Sequence, residues 1–261
     1  MKTVLQIQNL RTAYFVGSSK EKTVHGNISA QANGGELVCI LGLNGSGKST
    51  LIRTILGMQK SGGGEVSFMG NSLKSISIGE LAKMVSVVLT DKIDDAFLRV
   101  VELVSSGRYP YRNFNGRLNS EDLKIVDNAL KLMKVSQLKN NLFAQLSDGE
   151  KQRVLIARAI AQDTPLIVLD EPAAFIDSPG KIGIMELLRL LTKESGKTIL
   201  MTTHDIESAL NYADTLWVLG KNGEFETGEP KEMIDKGMIN KYFDNDEVGF
   251  NKFKLRFEKN H

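Results

Sequence analysis

Gly42-Leu43-Asn44-Gly45-Ser46-Gly47-Lys48-Ser49-Thr50 sets three glycines, a lysine and, directly after it, two hydroxyls in a stretch that fits G-x-x-x-x-G-K-[ST]. Gly42, Gly45 and Gly47 let backbone N–H groups turn inward around phosphate oxygens, and a helix N-terminus just after them adds partial positive charge at the same point. Lys48 would then bridge the β- and γ-phosphates of a nucleoside triphosphate, Ser49 would offer its hydroxyl to Mg2+, and Thr50 would add a polar group close by. A second candidate set is Leu166-Ile167-Val168-Leu169-Asp170-Glu171, an apolar run ending in two acids. At the C-terminal edge of a parallel sheet, where open α/β folds bind ligands, Asp170 would hold Mg2+ or its water and Glu171 would polarise an attacking water as general base. Alone, the run also reads as a strand that ends in solvated acids; the glycine-rich loop upstream favours the chemistry.

The elements that must position these groups follow from periodicity. Leu37-Val38-Cys39-Ile40-Leu41 reads as a strand into the loop, and Leu51, Ile52, Ile55 and Leu56 recur at helical spacing from Ser49 to about Gly57. Upstream, residues 1–41 read as short strands, with Val4, Leu5 and Ile7 near the start and a polar connection at 18–22. Residues from about 91 to 162 read as a helical insertion: Leu123, Val126, Leu130 and Met133 share one face after a cap at Ser120, and a second helix runs from Glu150 to Ala161. Then come the run to Leu169, a helix opened by Ser178-Pro179 and closed near Gly196, and the strand Thr198 to Thr202, an order that produces a parallel sheet. With no internal repeat and one phosphate loop, the chain is one nucleotide-binding unit. The polar end from Asp244 to His261 is expected to be loosely held.

A chain of 261 residues that is 41% hydrophobic can bury a sizeable core. Its 33 basic and 31 acidic residues nearly cancel, which gives no support to a nucleic-acid binder with a strongly basic face. The single cysteine, Cys39, lies in an apolar run, so a buried thiol is expected and a disulfide within the chain is excluded, in keeping with a reducing cytosol. The start MKTVLQIQNL lacks the apolar core of a leader, and no stretch reaches the ~18 apolar residues of a membrane span, so any service to a membrane is expected from outside it.

Two further motifs narrow the class: Leu146-Ser147-Asp148-Gly149-Glu150 upstream of Asp170, and Thr203-His204-Asp205 just beyond the strand at 198–202. With the phosphate loop and the Asp170-Glu171 pair, in this order, they resemble the ABC ATPases, over about residues 3 to 243. The resemblance implies a P-loop NTPase (RecA-like) α/β fold, with a parallel-sheet core, an N-terminal antiparallel β subdomain and an inserted helical subdomain. It implies one ABC ATPase domain over 1–261: a core with its β subdomain at 1–90 and 163–243, a helical part at 91–162 and a C-terminal extension at 244–261. It makes Tyr14 similar to the family's adenine-stacking aromatic, a core tyrosine being the alternative, and gives ATP binding to Tyr14 and to Gly42 through Thr50.

In that family two ATPase subunits pack head to tail, so Ser147, Asp148, Gly149 and Glu150 of one would face the phosphate loop of the other. Ser147 and the Gly149 N–H, at a helix start, would complete charge stabilisation around the γ-phosphate; alone, the stretch is also an ordinary capped helix start. Asp148 and Glu150 stand where the family pattern has glycine and glutamine, and Asp148 is expected to point away from the triphosphate. His204 resembles the switch histidine, contacting the γ-phosphate and the water near Glu171; the competing reading is a helix cap at 205–213. Ala174-Phe175-Ile176-Asp177 resembles the loop across the dimer interface, with Asp177 as the contact. Alignment puts Thr90 where the family carries a glutamine that reaches Mg2+; Thr90 or Asp91 could bind the ion through water, or mark a plain strand end.

Gly107-Arg108-Tyr109-Pro110-Tyr111 is similar to a GRYP segment of ATPases that power importers of iron–siderophore complexes, haem and cobalamin, with a local turn over a packed aromatic as the alternative. The expectation is an ATP-hydrolysing subunit of such an importer, using ATP and Mg2+ at the cytoplasmic face of the membrane. Its partners would be a second copy, integral permease subunits docked near 91–115, indirectly a substrate-binding protein, and no nucleic acid. A soluble ABC ATPase serving as an assembly factor, as in iron–sulfur cluster biogenesis, and a small-molecule kinase are the competing classes.

Overall fold

The computed structural model describes residues 2–89, 97–112, 117–174 and 176–260, apart from the side chains of Ser178 and Asn222. In place of several short strands, the N-terminus forms two of 12 residues, β1 (Thr3–Tyr14) and β2 (Lys22–Asn33), paired antiparallel. They run on because extra residues are absorbed as bulges: Asn9 (φ 46°) and Asn27 (φ 57°) take left-handed backbone where the register shifts. The apolar β3 (Leu37–Gly42) leads into α1 (Lys48–Ile55), after which β4 (Ser61–Phe68) and β5 (Asn71–Ser72) complete an antiparallel sheet of order β2-β1-β4-β5.

Next come α2 (Ile78–Met84), β6 (Val85–Val88), and the helices α3 (Val100–Ser105), α4 (Ser120–Leu132) and α5 (Asp148–Ala161). The rest alternates strand and helix: β7 (Leu166–Asp170), α6 (Ser178–Ser195), β8 (Thr198–Thr203), α7 (Ile206–Tyr212), β9 (Thr215–Leu219), then β10 (Phe225–Gly228), α8 (Pro230–Asp235) and α9 (Met238–Phe243). These strands build a six-stranded sheet of order β10-β9-β3-β8-β7-β6, parallel except for β10 against β9.

Every residue of β3 is buried, because this central strand is covered on both faces. Val38 and Ile40 face one apolar cluster with Leu51, Ile52 and Ile55 of α1 and Leu5 and Ile7 of the antiparallel sheet. Leu37, Cys39 and Leu41 face the other, with Ile184 and Leu188 of α6 and Val154 and Ala157 of α5. Burial pushes the Cys39 thiol pKa up, with Asp214 and Asp205 adding to the shift, so it stays protonated.

Two expectations need correction. Helix α4 is capped by Asn119, one residue earlier than expected, and Leu123 is half exposed while Val126, Leu130 and Met133 are buried. The inward stripe begins at Asp122 instead, because Arg108 takes its carboxylate at 2.9 Å in the interior. The C-terminal end is not loose: β11 (Val248–Asn251) and β12 (Arg256–Lys259) form a hairpin, Phe250 is buried against Phe257, and the Asn240 amide donates to the Phe250 carbonyl. Among the described residues no helix is long and apolar enough to cross a membrane.

Candidate functional site: the phosphate loop and its carboxylates

The loop between β3 and α1 turns through two left-handed glycines, Gly45 (φ 79°) and Gly47 (φ 92°). A Cβ on Gly42 would strike the Ser46 hydroxyl and lie 2.9 Å from the Leu219 carbonyl oxygen, so this glycine is required by close approach. No acid sits in the first turn of α1, which leaves the positive end of its dipole facing the loop. Buried Lys48 donates through Nζ to the carbonyls of Gly42 (2.8 Å) and Leu43 (3.3 Å). An ammonium has three donors, so Lys48 can brace the loop and still reach a phosphate oxygen. Burial lowers its pKa, and the charges of Glu171 and Asp170 partly offset that shift.

Parallel register delivers the acids to the same edge. Asp170, at the end of β7, lies beside Thr202 of β8, and Thr202 Oγ1 donates to Asp170 Oδ1 at 2.5 Å. Ser49 Oγ donates to Asp170 Oδ2 at 3.1 Å, which joins the loop helix to the strand end. Two hard oxygens so close suit Mg2+, which takes few protein ligands beside phosphate oxygens and water. Glu171 steps off the strand at φ 50°, its N–H donating to Thr202 Oγ1 at 2.8 Å, so the adjacent acids point to different places. His204 Nδ1 lies 3.5 Å from Glu171 Oε2, and the cap of α7 is Asp205, not the histidine. Tyr14 is half exposed, with its hydroxyl 2.7 Å from Thr50 Oγ1, so it stands at the rim of the site and not in the core.

Thus Tyr14, Lys48, Ser49, Thr50, Asp170, Glu171 and His204 are tied into one edge of the sheet. Ser147 to Glu150 begin α5 elsewhere. Ser147 is the N-cap, donating its hydroxyl (2.8 Å) and its N–H (2.9 Å) to Glu150 Oε2. These bonds hold the Glu150 carboxyl below its ordinary pKa. The Asp148 side chain points to solvent, 75% exposed, with Lys151 3.9 Å away, and nothing crowds Gly149. Asp177 Oδ1 accepts from the Gly180 N–H at 3.2 Å and caps α6. Thr90 lies outside the described residues, as do Asp91 and Phe175.

The Gly107–Tyr111 segment is a brace. Arg108 is buried, donates to Asp122 and to the Ala161 carbonyl (3.0 Å), and lies 4.1 Å over the Tyr111 ring, tying the end of α3 to α4 and α5. Sequence reasoning missed Thr202, although its place beside the strand that ends in Asp170 was a usable signal. It also missed His25, whose ring lies against Gly47 and for which no local pattern spoke.

A glycine-rich loop on a central parallel strand, with a strand-end carboxylate against its helix hydroxyl, defines a P-loop ATPase. A family model described as ABC transporter matches residues 25–174. The chain belongs to the ABC transporter family and is an ATPase of that family. The petrobactin import ATP-binding protein of Bacillus anthracis is 37% identical over 218 residues, 83% of this chain and 80% of that one. The ferric enterobactin transport ATP-binding protein of Escherichia coli is 31% identical, over 85% of this chain and 82% of its own. A solved dimeric cassette in a post-hydrolysis state bound to ADP and Pi has a TM-score of 0.75 and 29% identity, covering 87% of this chain and 98% of that one.

Proposed function

We propose that this chain is the ATP-hydrolysing subunit of an importer for iron–siderophore complexes, working at the cytoplasmic face of the membrane with a second copy of itself and integral permease subunits. The observation that carries the hydrolytic reading is the split of the two acids: Asp170 is drawn to Ser49 and Thr202, while Glu171 turns out toward His204. The import reading is supported by the relatives named for petrobactin and ferric enterobactin. The reading divides the chain into a nucleotide-binding core at 1–90 and 163–243, a helical part at 91–162 and a C-terminal extension.

In this reading Tyr14 stacks on the adenine, and Gly42 to Thr50 wrap the phosphates with backbone N–H groups. Ser49 and Asp170 hold Mg2+, which when bound neutralises charge on the phosphate oxygens. Glu171 accepts a proton from the water whose oxygen attacks the γ-phosphorus as the bond to the β–γ bridging oxygen breaks; His204 steadies the carboxylate and the γ-phosphate. Ser147 and the Gly149 N–H of the second copy close over the γ-phosphate, with Asp177 at the seam between copies. A cavity of about 430 Å3, lined by Leu56, Ile78, Leu81, Val87, Leu89 and Leu155, would offer a largely apolar seat for a permease helix.

Glu171→Gln keeps ATP binding and loses hydrolysis by the ~10²- to 10⁴-fold typical of a general base. Unchanged turnover would overturn the assignment. Co-purification with an integral membrane protein, and ferric-siderophore uptake that fails with the Glu171→Gln chain, separate the importer from an assembly factor.

A further inference from the structure

His25 of β2 is 1% exposed and sits directly beneath the phosphate loop. Its Nε2 lies 2.7 Å from the Ser46 carbonyl oxygen and its Nδ1 lies 2.8 Å from Thr12 Oγ1. A carbonyl only accepts, so Nε2 carries the proton and donates to Ser46. Burial lowers the pKa, keeping the ring neutral, so Nδ1 accepts from the Thr12 hydroxyl. Ser46 lies between the left-handed Gly45 and Gly47, two residues whose backbone has no Cβ to restrict its rotation. A Cβ on Gly47 would run into the His25 ring, so that glycine leaves the room the ring occupies.

The direction of one peptide plane follows. The Ser46 C=O and the Gly47 N–H belong to the same trans peptide and point in opposite directions. Holding the carbonyl against His25 turns the Gly47 N–H to the side away from the ring. We propose that His25 is a positioning residue for the phosphate loop: its Nε2–H holds the Ser46 carbonyl and thereby aims the Gly47 N–H at the bound phosphate. The Thr12 hydroxyl, bonded to Nδ1, holds the ring in place from the other side, which makes the antiparallel sheet a support for nucleotide binding as well as a platform for Tyr14.

The test is Mg2+–ADP binding by the full chain carrying His25→Gln, His25→Asn or His25→Leu. Glutamine can put an N–H near the place of Nε2; asparagine reaches only toward Thr12, and leucine donates nothing. The expected result is an ADP Kd raised about tenfold in the asparagine and leucine variants and largely restored by glutamine. With ATP, KM rises more than kcat falls. Equal affinities in the asparagine and glutamine variants overturn the proposal, even where the leucine variant fails to fold, and lowered melting temperatures with unchanged Kd assign His25 to packing alone. The inference rests on the phosphate-loop reading: absence of ADP binding by the unaltered chain overturns both, whereas unaltered binding in every variant overturns only this one.

Discussion

At the scale of single residues, the site depends on side chains that never touch a nucleotide. Thr202 bonds to Asp170 Oδ1 and receives the Glu171 N–H, so one hydroxyl sets the divergence of the two acids. Thr202→Val keeps the shape and removes both bonds. The expected result is a fall in kcat of about ten- to a hundredfold with ADP affinity little changed, read from steady-state kinetics. A second consequence concerns pH. Burial holds the His25 pKa below its ordinary 6.5, so the folded chain takes up that proton less readily than the unfolded chain. The stability it contributes is complete above pH 6.5 and is lost as pH falls from there through the folded pKa. Thermal melts at about pH 7.5 and about pH 5.5 should show the unaltered chain losing more than His25→Gln, which cannot titrate; equal losses would refute the linkage.

At the scale of elements, the helices α3, α4 and α5 are held by two devices with separate consequences. Helix α5 begins with a reciprocal capping box between Ser147 and Glu150. Ser147→Ala removes it and should cost about 1 kcal/mol of stability, measured by denaturant unfolding. The same change should weaken ATP-driven pairing of two copies, if that hydroxyl turns from Glu150 to the γ-phosphate across the interface. Arg108 is the other device, an interior ion pair with Asp122 that braces α3, α4 and α5. Arg108→Ala strands a buried carboxylate and should cost about 3 kcal/mol or more, seen as a lowered melting temperature. ADP affinity should be nearly preserved, because the phosphate loop lies on other elements.

At the scale of the whole molecule, the proposed mechanism makes hydrolysis depend on two copies, since each would supply its signature segment to the other's phosphate loop. In this mechanism binding moves the molecule: ATP at the interface favours the closed pair, and loss of the γ-phosphate contacts releases it. The Glu171→Gln chain should therefore shift from monomer to dimer when ATP and Mg2+ are added, as judged by mass in solution. It should return to monomer when Mg2+ is chelated. A chain that binds ATP yet stays monomeric under both conditions would place the closing force in the permease.

The sequence by itself determined what is local along the chain. The phosphate loop, the strand before it and the helix after it are consecutive, so spacing alone carries Gly42, Gly45, Gly47, Lys48 and Ser49 to their places. The Asp170-Glu171 pair was legible for the same reason, as an apolar strand ending in acids. Only the tertiary structure decided which distant groups meet. Ser49 and Asp170 are separated by 121 positions and His25 and Ser46 by 21, and each bond depends on how two sheets and a helix pack. Asp122 took the inward place expected of Leu123 because a buried arginine was there to pair with it, and the polar C-terminus closed into a hairpin because Phe250 and Phe257 meet. Periodicity records the average polarity of a face, whereas a buried polar group is stable only beside its partner, and partners are assigned by the fold.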